Sequence, residues 1–158
     1  MLTDSDSEFI SQVLALNKGV PGALLPILHG IQDLIGYIPA EAVDSIAREL
    51  NLSRAEVHGV ITYYHHFRSE PAGKHVVQIC RAEACQSMGG EALWNHACLK
   101  LAATNGHGTS ADGTVTLEPV YCLGLCASSP AMAINDRVHA RVNAQRFDSL
   151  LGRARSAA

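Results

Sequence analysis

The sequence predicts an α+β protein, in which a helical segment (residues 1–70) precedes a domain of mixed helices and strands (residues 71–158). Two observations support this division. Apolar residues recur at helical spacing in the first part, whereas short runs rich in β-branched residues follow it. In addition, every cysteine lies in the second part: Cys80, Cys85, Cys98, Cys122 and Cys126. The chemistry of the protein is therefore expected in the second part.

The composition is that of a folded globular chain. Hydrophobic residues make up 47% of the 158 residues and charged residues 17%, which predicts a packed core. No apolar run approaches the about 20 residues that a membrane helix needs, and the acidic N-terminus lacks the apolar stretch of a secretory signal. We therefore expect a cytoplasmic protein without a membrane span.

The first part is predicted to contain four helices. They run from Phe9 to Leu16, from Pro21 to Ile31, from Ala40 to Leu50, and from the Ser53-x-x-Glu56 capping box to about Tyr64. The segment Gly36-Tyr-Ile-Pro39 interrupts the helical pattern, and Ser69–Gly73 is the best linker candidate.

The second part follows the order strand, helix, three strands, helix. Strands are predicted at His75–Cys80, Val115–Tyr121, Ala131–Ile134 and Arg137–Val142, and helices at Ser87–Leu101 and Asn143–Leu151. Thr104–Gly113 is predicted to be a loop, and Asn135-Asp136 a turn. This order is consistent with a small sheet that carries helices.

Four of the cysteines form two pairs, each just past a predicted strand. Cys80 and Cys85 have the spacing C-x4-C, and Cys122 and Cys126 have the spacing C-x3-C. If the two strands are neighbours, the four sulfurs can converge, and four thiolates suit zinc or an iron–sulfur cluster. Zinc sites usually use tighter C-x2-C pairs, so the spacing favours a 2Fe–2S cluster and leaves zinc as the alternative.

Neighbouring residues support a site with negative charge. Gly124 permits the positive φ at which backbone N–H groups can point at sulfur. Ser87-Met-Gly-Gly90 can place a helix N-terminus towards the cluster, and Arg81 can partly offset its charge. Cys98 belongs to neither pair and is expected to be a buried thiol on a helix.

Four segments carry a resemblance to a known family. They are Gly36-Tyr-Ile-Pro39, Ile61-Thr-Tyr-Tyr-His-His-Phe67, Cys80-Arg-Ala-Glu-Ala-Cys85 and Cys122-Leu-Gly-Leu-Cys126. Together they resemble the thioredoxin-like 2Fe–2S subunit family of complex I, over about residues 20–150. The family also includes subunits of NAD-reducing hydrogenases and of molybdenum-dependent, NAD-linked formate dehydrogenases. The strings CRAEACQSMGG and YCLGLCA look like the gamma subunit of the formate dehydrogenases.

The resemblance implies a thioredoxin-like 2Fe–2S ferredoxin domain after the helical segment. It implies that Cys80 and Cys85 bind one iron of a single cluster, and that Cys122 and Cys126 bind the other. It further implies an accessory electron-transfer subunit of formate dehydrogenase, without catalytic residues of its own. The implied partners are an FMN- and NAD-binding beta-type subunit and an alpha-type subunit with the molybdenum cofactor and further Fe–S clusters. Electrons would pass between this cluster and FMN, and the helical segment would be the docking surface.

Two alternatives stand beside this interpretation. One is a peripheral 2Fe–2S subunit of complex I or of an NAD-reducing hydrogenase. The other, from a different class, is a redox-sensing regulator, because Ala42–Val57 has the pattern of a helix-turn-helix. The second helix of that pattern offers only Arg54 as a base near its start, and residues 1–70 carry 4 Lys or Arg against 9 Asp or Glu. Because DNA binding needs several cations, we expect no nucleic-acid partner.

Overall fold

The chain divides between Pro71 and Ala72 in the computed structural model, which describes residues 3–103 and 108–157. We call the part up to Pro71 unit 1 and the part from Ala72 unit 2. Each unit has its own apolar core. The α+β class predicted from the sequence is confirmed.

The described residues of unit 1 form four helices. They are α1 (Asp4–Leu16), α2 (Leu24–Ile35), α3 (Ala42–Leu50) and α4 (Arg54–Tyr63). The predicted capping box is present at the start of α4, where the Glu56 N–H donates to Ser53 Oγ (3.2 Å) and the Ser53 N–H donates to Glu56 Oε2 (2.8 Å). These bonds satisfy two backbone donors that the helix itself leaves unpaired.

Helix α2 begins three residues later than predicted. Pro21 precedes the helix, because Gly22 has a φ of +70° and the chain turns there. Pro26 is instead the proline inside the first turn, at its third residue. A proline is tolerated there because the N–H groups of the first turn have no partner within the helix. At the other end, Gly36 stops the helix as predicted, in the left-handed region (φ +91°).

The core of unit 1 is apolar apart from one buried amide. Its largest fully buried side chains are Ile27, Leu28, Ile31, Ile46 and Val57. The buried Gln32 side chain donates to the His66 carbonyl (2.8 Å) and accepts from the Arg68 N–H (2.7 Å). The Gln32 side chain, which belongs to α2, therefore binds the backbone of the segment that follows α4.

The described residues of unit 2 form one five-stranded sheet. Its strands are β1 (His75–Cys80), β2 (Gly108–Thr109), β3 (Val115–Val120), β4 (Met132–Ile134) and β5 (Arg137–His139), in the order β2-β3-β1-β4-β5. Strands β1 and β3 are parallel neighbours, and the other pairs are antiparallel. The sheet buries Val77, Ile79, Leu117 and Met132 completely.

Three α-helices and a short 3-10 helix (Cys126–Ser128) accompany the sheet in the described part of unit 2. The α-helices are the single turn α5 (Glu83–Cys85), α6 (Glu91–Leu101) and α7 (Ala144–Ser156). Helix α6 begins at Glu91 rather than at the predicted Ser87, because Met88 and Gly89 lie outside helical geometry. Helix α7 is capped by Asn143 as predicted, but extends five residues beyond Leu151.

Two strand predictions differ from the structure. The predicted loop Thr104–Gly113 contains the short strand β2 at Gly108–Thr109, and its residues 104–107 lie outside the described residues. Strand β5 ends at His139 rather than Val142, and Arg141 then has a φ of +52°, which strand geometry does not allow. The predicted turn at Asn135-Asp136 is present, with both φ angles positive.

Candidate metal centre

The two cysteine pairs follow the two parallel neighbouring strands of the sheet. Cys80 is the last residue of β1, and its register partner Val120 is the last residue of β3, two residues before Cys122. The Arg81 N–H continues the pairing by donating to the Val120 carbonyl (2.8 Å). The condition for the four sulfurs to converge, that the two strands are neighbours, is therefore met, and the two cysteine-bearing loops leave the same edge of the sheet.

The first pair lies in the interior. Cys80 and Cys85 are each only 2% exposed and form a small apolar cluster with Ala131. Leu123 and Leu125, from the loop that carries the second pair, pack against the same cluster. The two loops therefore meet through apolar contacts around the buried thiols.

Residue 90 must be a glycine because it packs against the backbone of the first cysteine pair. A Cβ atom on Gly90 would lie 2.6 Å from the carbonyl oxygen of Cys85 and 3.4 Å from that of Cys80. Both contacts involve backbone atoms, which cannot rotate away as a side-chain end can. The segment Ser87–Gly90 therefore serves close packing against the cysteines, while the helix start that was predicted here lies at Glu91.

The second pair lies at the surface. Cys122 and Cys126 are exposed, and their Sγ atoms are 3.5 Å apart. Gly124 has a φ of +77°, and its N–H donates to Cys122 Sγ (3.4 Å). The sequence prediction of a positive φ at Gly124 is confirmed, and the consequence is a backbone donor aimed at sulfur. Cys122 itself has a φ of +94°, which is unusual for a residue with a side chain.

Electrostatic interactions join the four thiols into one group. Burial, the largest influence on the Cys80 thiol, raises its pKa, but hydrogen bonds from Ala82, Cys85, Cys122 and Leu123 together leave that pKa below its ordinary value. Two of these donors are backbone N–H groups of the other cysteine loop. The pKa of the Cys126 thiol is raised, first by its hydrogen bond and charge interaction with Cys122, then by burial and by the charges of Cys85 and Cys80.

The fifth cysteine stands apart from this group. Cys98 lies on α6, is half-buried and packs against the main core of unit 2. Burial raises the pKa of its thiol, and the nearby charges that act on it are those of Arg81 and Glu91 rather than of other cysteines. The structure thus brings together the four cysteines that the motifs predicted and leaves Cys98 outside.

Arg81 does not have the role expected from its position beside Cys80. Its guanidinium bonds to both carboxylate oxygens of Glu91 (2.9 and 3.1 Å) and lies over the ring of Trp94, 4.9 Å from the ring centre. Its Nε atom is buried without a hydrogen-bond partner. Because Glu91 already balances this charge, Arg81 is not a free cation beside the thiols.

Sequence analysis missed one residue of the site. Ser129 is buried, and its Oγ lies 3.6 Å from Cys85 Sγ and 2.8 Å from the Cys126 carbonyl oxygen. It therefore touches a member of each cysteine pair. The available signal was its position three residues after the last motif cysteine, in Ser128-Ser-Pro130.

The donor set fits a binuclear cluster better than a single ion. In residues 3–103 and 108–157, no group of three or more His, Cys, Asp or Glu side chains is arranged to hold one metal ion. A 2Fe–2S cluster has a different requirement, because each of its two irons takes only two thiolates from the protein. Two cysteine pairs on adjacent loops, with backbone N–H groups directed at their sulfurs, meet this requirement.

Four thiols gathered at one edge of a small mixed sheet define a thiolate-bound metal or cluster protein. The chain belongs to the thioredoxin-like [2Fe-2S] ferredoxin family, whose match spans residues 10–155. The family resemblance found in the sequence is thereby confirmed. Because the match covers both units, the helical segment is part of the family's architecture.

Similar proteins have names that refer to the oxidation of NADH or to the reduction of NAD+. An NADH-quinone oxidoreductase subunit of Rhizobium meliloti is 35% identical over 135 residues, covering 85% of this chain and 80% of that protein. NADH-quinone oxidoreductase subunit 2 of Thermus thermophilus is 30% identical, covering 97% of this chain and 86% of its own. A solved structure of an NAD+-reducing [NiFe]-hydrogenase matches 85% of this chain with a TM-score of 0.68 and 27% identity. This chain spans only 22% of that hydrogenase chain.

Proposed function

We propose that the chain is the 2Fe–2S electron-transfer subunit of an NADH-oxidising complex, in which it exchanges single electrons with FMN on a flavin- and NAD-binding partner subunit. The observation that carries the proposal is the convergence of two cysteine pairs at the ends of β1 and β3. The relatives support the setting, because their names are those of NADH-quinone oxidoreductase subunits and of an NAD+-reducing hydrogenase.

The proposed ligands are the four motif cysteines. Cys80 and Cys85 would hold one iron and Cys122 and Cys126 the other, and the bound cluster would supply one-electron redox chemistry at low potential. Four thiolates around a +2 core give a net charge of −2, which becomes −3 on reduction. The chain offsets this charge with backbone N–H groups, namely those of Cys122 and Leu123 at Cys80 and that of Gly124 at Cys122.

Formate dehydrogenase is the second candidate for the parent complex. The observation in its favour is the pair of strings CRAEACQSMGG and YCLGLCA, which are similar to its gamma subunit. The relatives described above carry the names of quinone- and hydrogen-linked complexes, and these names favour the complex I or hydrogenase type instead. A partner with a molybdenum cofactor belongs to this second candidate alone.

Low-temperature EPR on the chain purified with its native partners tests the proposal. Spectra are recorded anaerobically before and after the addition of NADH, and separately of formate or hydrogen. We expect a 2Fe–2S EPR signal to appear when NADH is added, because the oxidised cluster has no EPR signal and its one-electron-reduced form has one. Hydrogen should also produce this signal if the parent complex is a hydrogenase. Reduction by formate would move the assignment to formate dehydrogenase. The absence of a 2Fe–2S signal, even with dithionite, would overturn the electron-transfer function and return zinc as the alternative.

The regulator hypothesis receives no support from the local geometry. Helices α3 and α4 do form a helical hairpin, but the Arg54 guanidinium bonds to Asp44 (2.9 Å). The base that the motif offered near the start of its second helix is therefore paired with a carboxylate.

We propose that unit 1 serves as a docking segment for partner subunits. No helix in the described part of the chain has the length and apolarity to cross a membrane.

A further inference from the structure

Ser129 is the one buried hydroxyl that contacts both cysteine pairs in the described part of unit 2. The Cys85 thiol donates to Ser129 Oγ, and the Ser129 hydroxyl in turn donates to the Cys126 carbonyl. The hydroxyl thus completes a short chain of hydrogen bonds between the interior pair and the surface pair.

The backbone fixes this hydroxyl in place from both sides. The Arg141 N–H donates to the Ser128 carbonyl (2.8 Å), and the Val142 N–H donates to the Pro130 carbonyl (2.9 Å). One residue further on, the Ala131 carbonyl accepts from the Cys80 N–H (3.0 Å). Ser129 therefore sits on a segment that is bonded both to the end of β1 and to the residues that lead into α7.

Metal binding must change the hydrogen bond between Ser129 and Cys85. A cysteine that binds iron does so as a thiolate, which has no hydrogen to donate. A serine oxygen facing that thiolate with its lone pairs would be repelled, whereas a hydroxyl turned towards the sulfur would donate to it. The separation of 3.6 Å suits a hydrogen bond to sulfur. Turning the single hydroxyl hydrogen towards the sulfur gives up its bond to the Cys126 carbonyl, but hydrogen bonds to a charged acceptor such as a thiolate are the stronger ones.

We propose that Ser129 is a positioning residue that donates a hydrogen bond to the Cys85 sulfur of the bound cluster and thereby raises its reduction potential. The inference rests on the proposed function, because it needs the cluster to be bound through Cys85. A donor to a ligand sulfur stabilises the reduced state, with its additional negative charge, more than the oxidised state. Buried donors act most strongly, because no water replaces them.

The test compares two pairs of variants in which only the hydroxyl differs. The first pair is the native chain and Ser129→Ala, and the second pair is Ser129→Thr and Ser129→Val, whose side chains have nearly the same shape. Each chain is loaded with iron and sulfide, and its midpoint potential is measured by an EPR-monitored redox titration. The matched control is Ser128→Ala, which removes the neighbouring hydroxyl from the half-buried residue before Ser129.

We expect both chains without the hydroxyl to have the lower potential of their pair. At a fixed ambient potential, the ratio of reduced to oxidised cluster should fall about tenfold, which corresponds to about 59 mV for one electron. Cluster content and the control variant should be unchanged. If Ser129→Ala does not fold, as judged by circular dichroism, the Thr and Val pair decides the question.

The outcomes separate this inference from the proposed function. Equal potentials within both pairs would overturn the role of Ser129 and leave the cluster assignment intact. A Ser129→Ala chain that folds but takes up no cluster would also overturn it, because the hydroxyl would then be needed for assembly rather than for tuning. A native chain that binds no cluster would instead refute the proposed function.

Discussion

The two cysteine pairs differ most in their access to water. Cys80 and Cys85 are buried in a small apolar cluster, whereas Cys122 and Cys126 lie exposed on a loop that contains Gly124. One half of the site, around Cys80 and Cys85, is therefore closed to water. The other half, around Cys122 and Cys126, is open to it. The closed half is defined by packing, since even a methyl group on Gly90 would strike the Cys85 carbonyl.

The difference in exposure between the two pairs shows how one site can be both stable and reactive. An added electron brings negative charge, which is stabilised more effectively near water than in a low-dielectric interior. We therefore expect the electron of the reduced cluster to reside mainly on the iron that Cys122 and Cys126 are proposed to hold. The interior pair would anchor the cluster, while the surface pair would face the partner that exchanges electrons.

The largest expected effect is a difference in thiol reactivity in the cluster-free chain. Cys122 and Cys126 should be alkylated by iodoacetamide about 100-fold faster than Cys80 and Cys85, because the buried pair must first be exposed by local opening. Mass spectrometry of peptides after timed labelling measures the rates. Equal rates for the two pairs would show that the interior pair is open in solution, and would remove the contrast on which the comparison depends.

Gly90→Ala should damage the closed half. The new methyl group would lie 2.6 Å from the Cys85 carbonyl oxygen, so the backbone must shift. We expect the free energy of unfolding of unit 2 to fall by about 3 kcal/mol, with reduced cluster uptake, as measured by urea denaturation and by iron content. The matched control is Gly152→Ala in α7, where a methyl group meets nothing within 4 Å. That control should instead gain about 0.5–1 kcal/mol, as alanine does in helices.

Gly124→Ala should have a smaller effect, confined to the open half. No atom lies within 4 Å of a methyl group there, so the cost is only that of a positive φ, about 1 kcal/mol. Urea denaturation should show this loss while the cluster content stays near that of the native chain. A loss as large as that of Gly90→Ala would mean that the surface loop is as tightly constrained as the interior one.

Cys98→Ser should have the smallest effect. Its side chain is half-buried on α6 and belongs to neither pair, so we expect an unchanged cluster absorbance. The matched variant Cys122→Ser should lose that absorbance. Visible spectra of the two chains after identical loading make the comparison. A Cys98→Ser chain without cluster absorbance would show that the proposed ligand set is wrong.

Regular strands and capped helices were predictable from the sequence because their signals are local. His75–Cys80 alternates as a strand should, and Ser53 and Glu56 carry their own capping pattern. The two residues of β2 lack such a signal, because they become a strand only by pairing with β3. The start of α6 was misplaced because the predicted helix includes Gly89, whose φ of +94° lies outside helical geometry.

The candidate site was predictable to a similar extent. Spacing and strand position identified the four cysteines, and the sheet register explains why the two pairs meet. Spacing carries no information on burial, however, so the contrast between the closed and open pairs was not foreseen. The ion pair of Arg81 with Glu91 and the contact of Ser129 with Cys85 were missed because each joins residues ten or more positions apart in the chain.

Differential alkylation of the cluster-free and the loaded chain tests whether the four cysteines hold one cluster. We expect loading to protect Cys122 and Cys126, which react in the cluster-free chain, and to keep Cys80 and Cys85 unlabelled until the cluster is removed under denaturing conditions. Labelling of Cys98 should be the same in both states. If Cys122 or Cys126 stays reactive in a chain with a full complement of iron and sulfide, the proposed ligand set is contradicted.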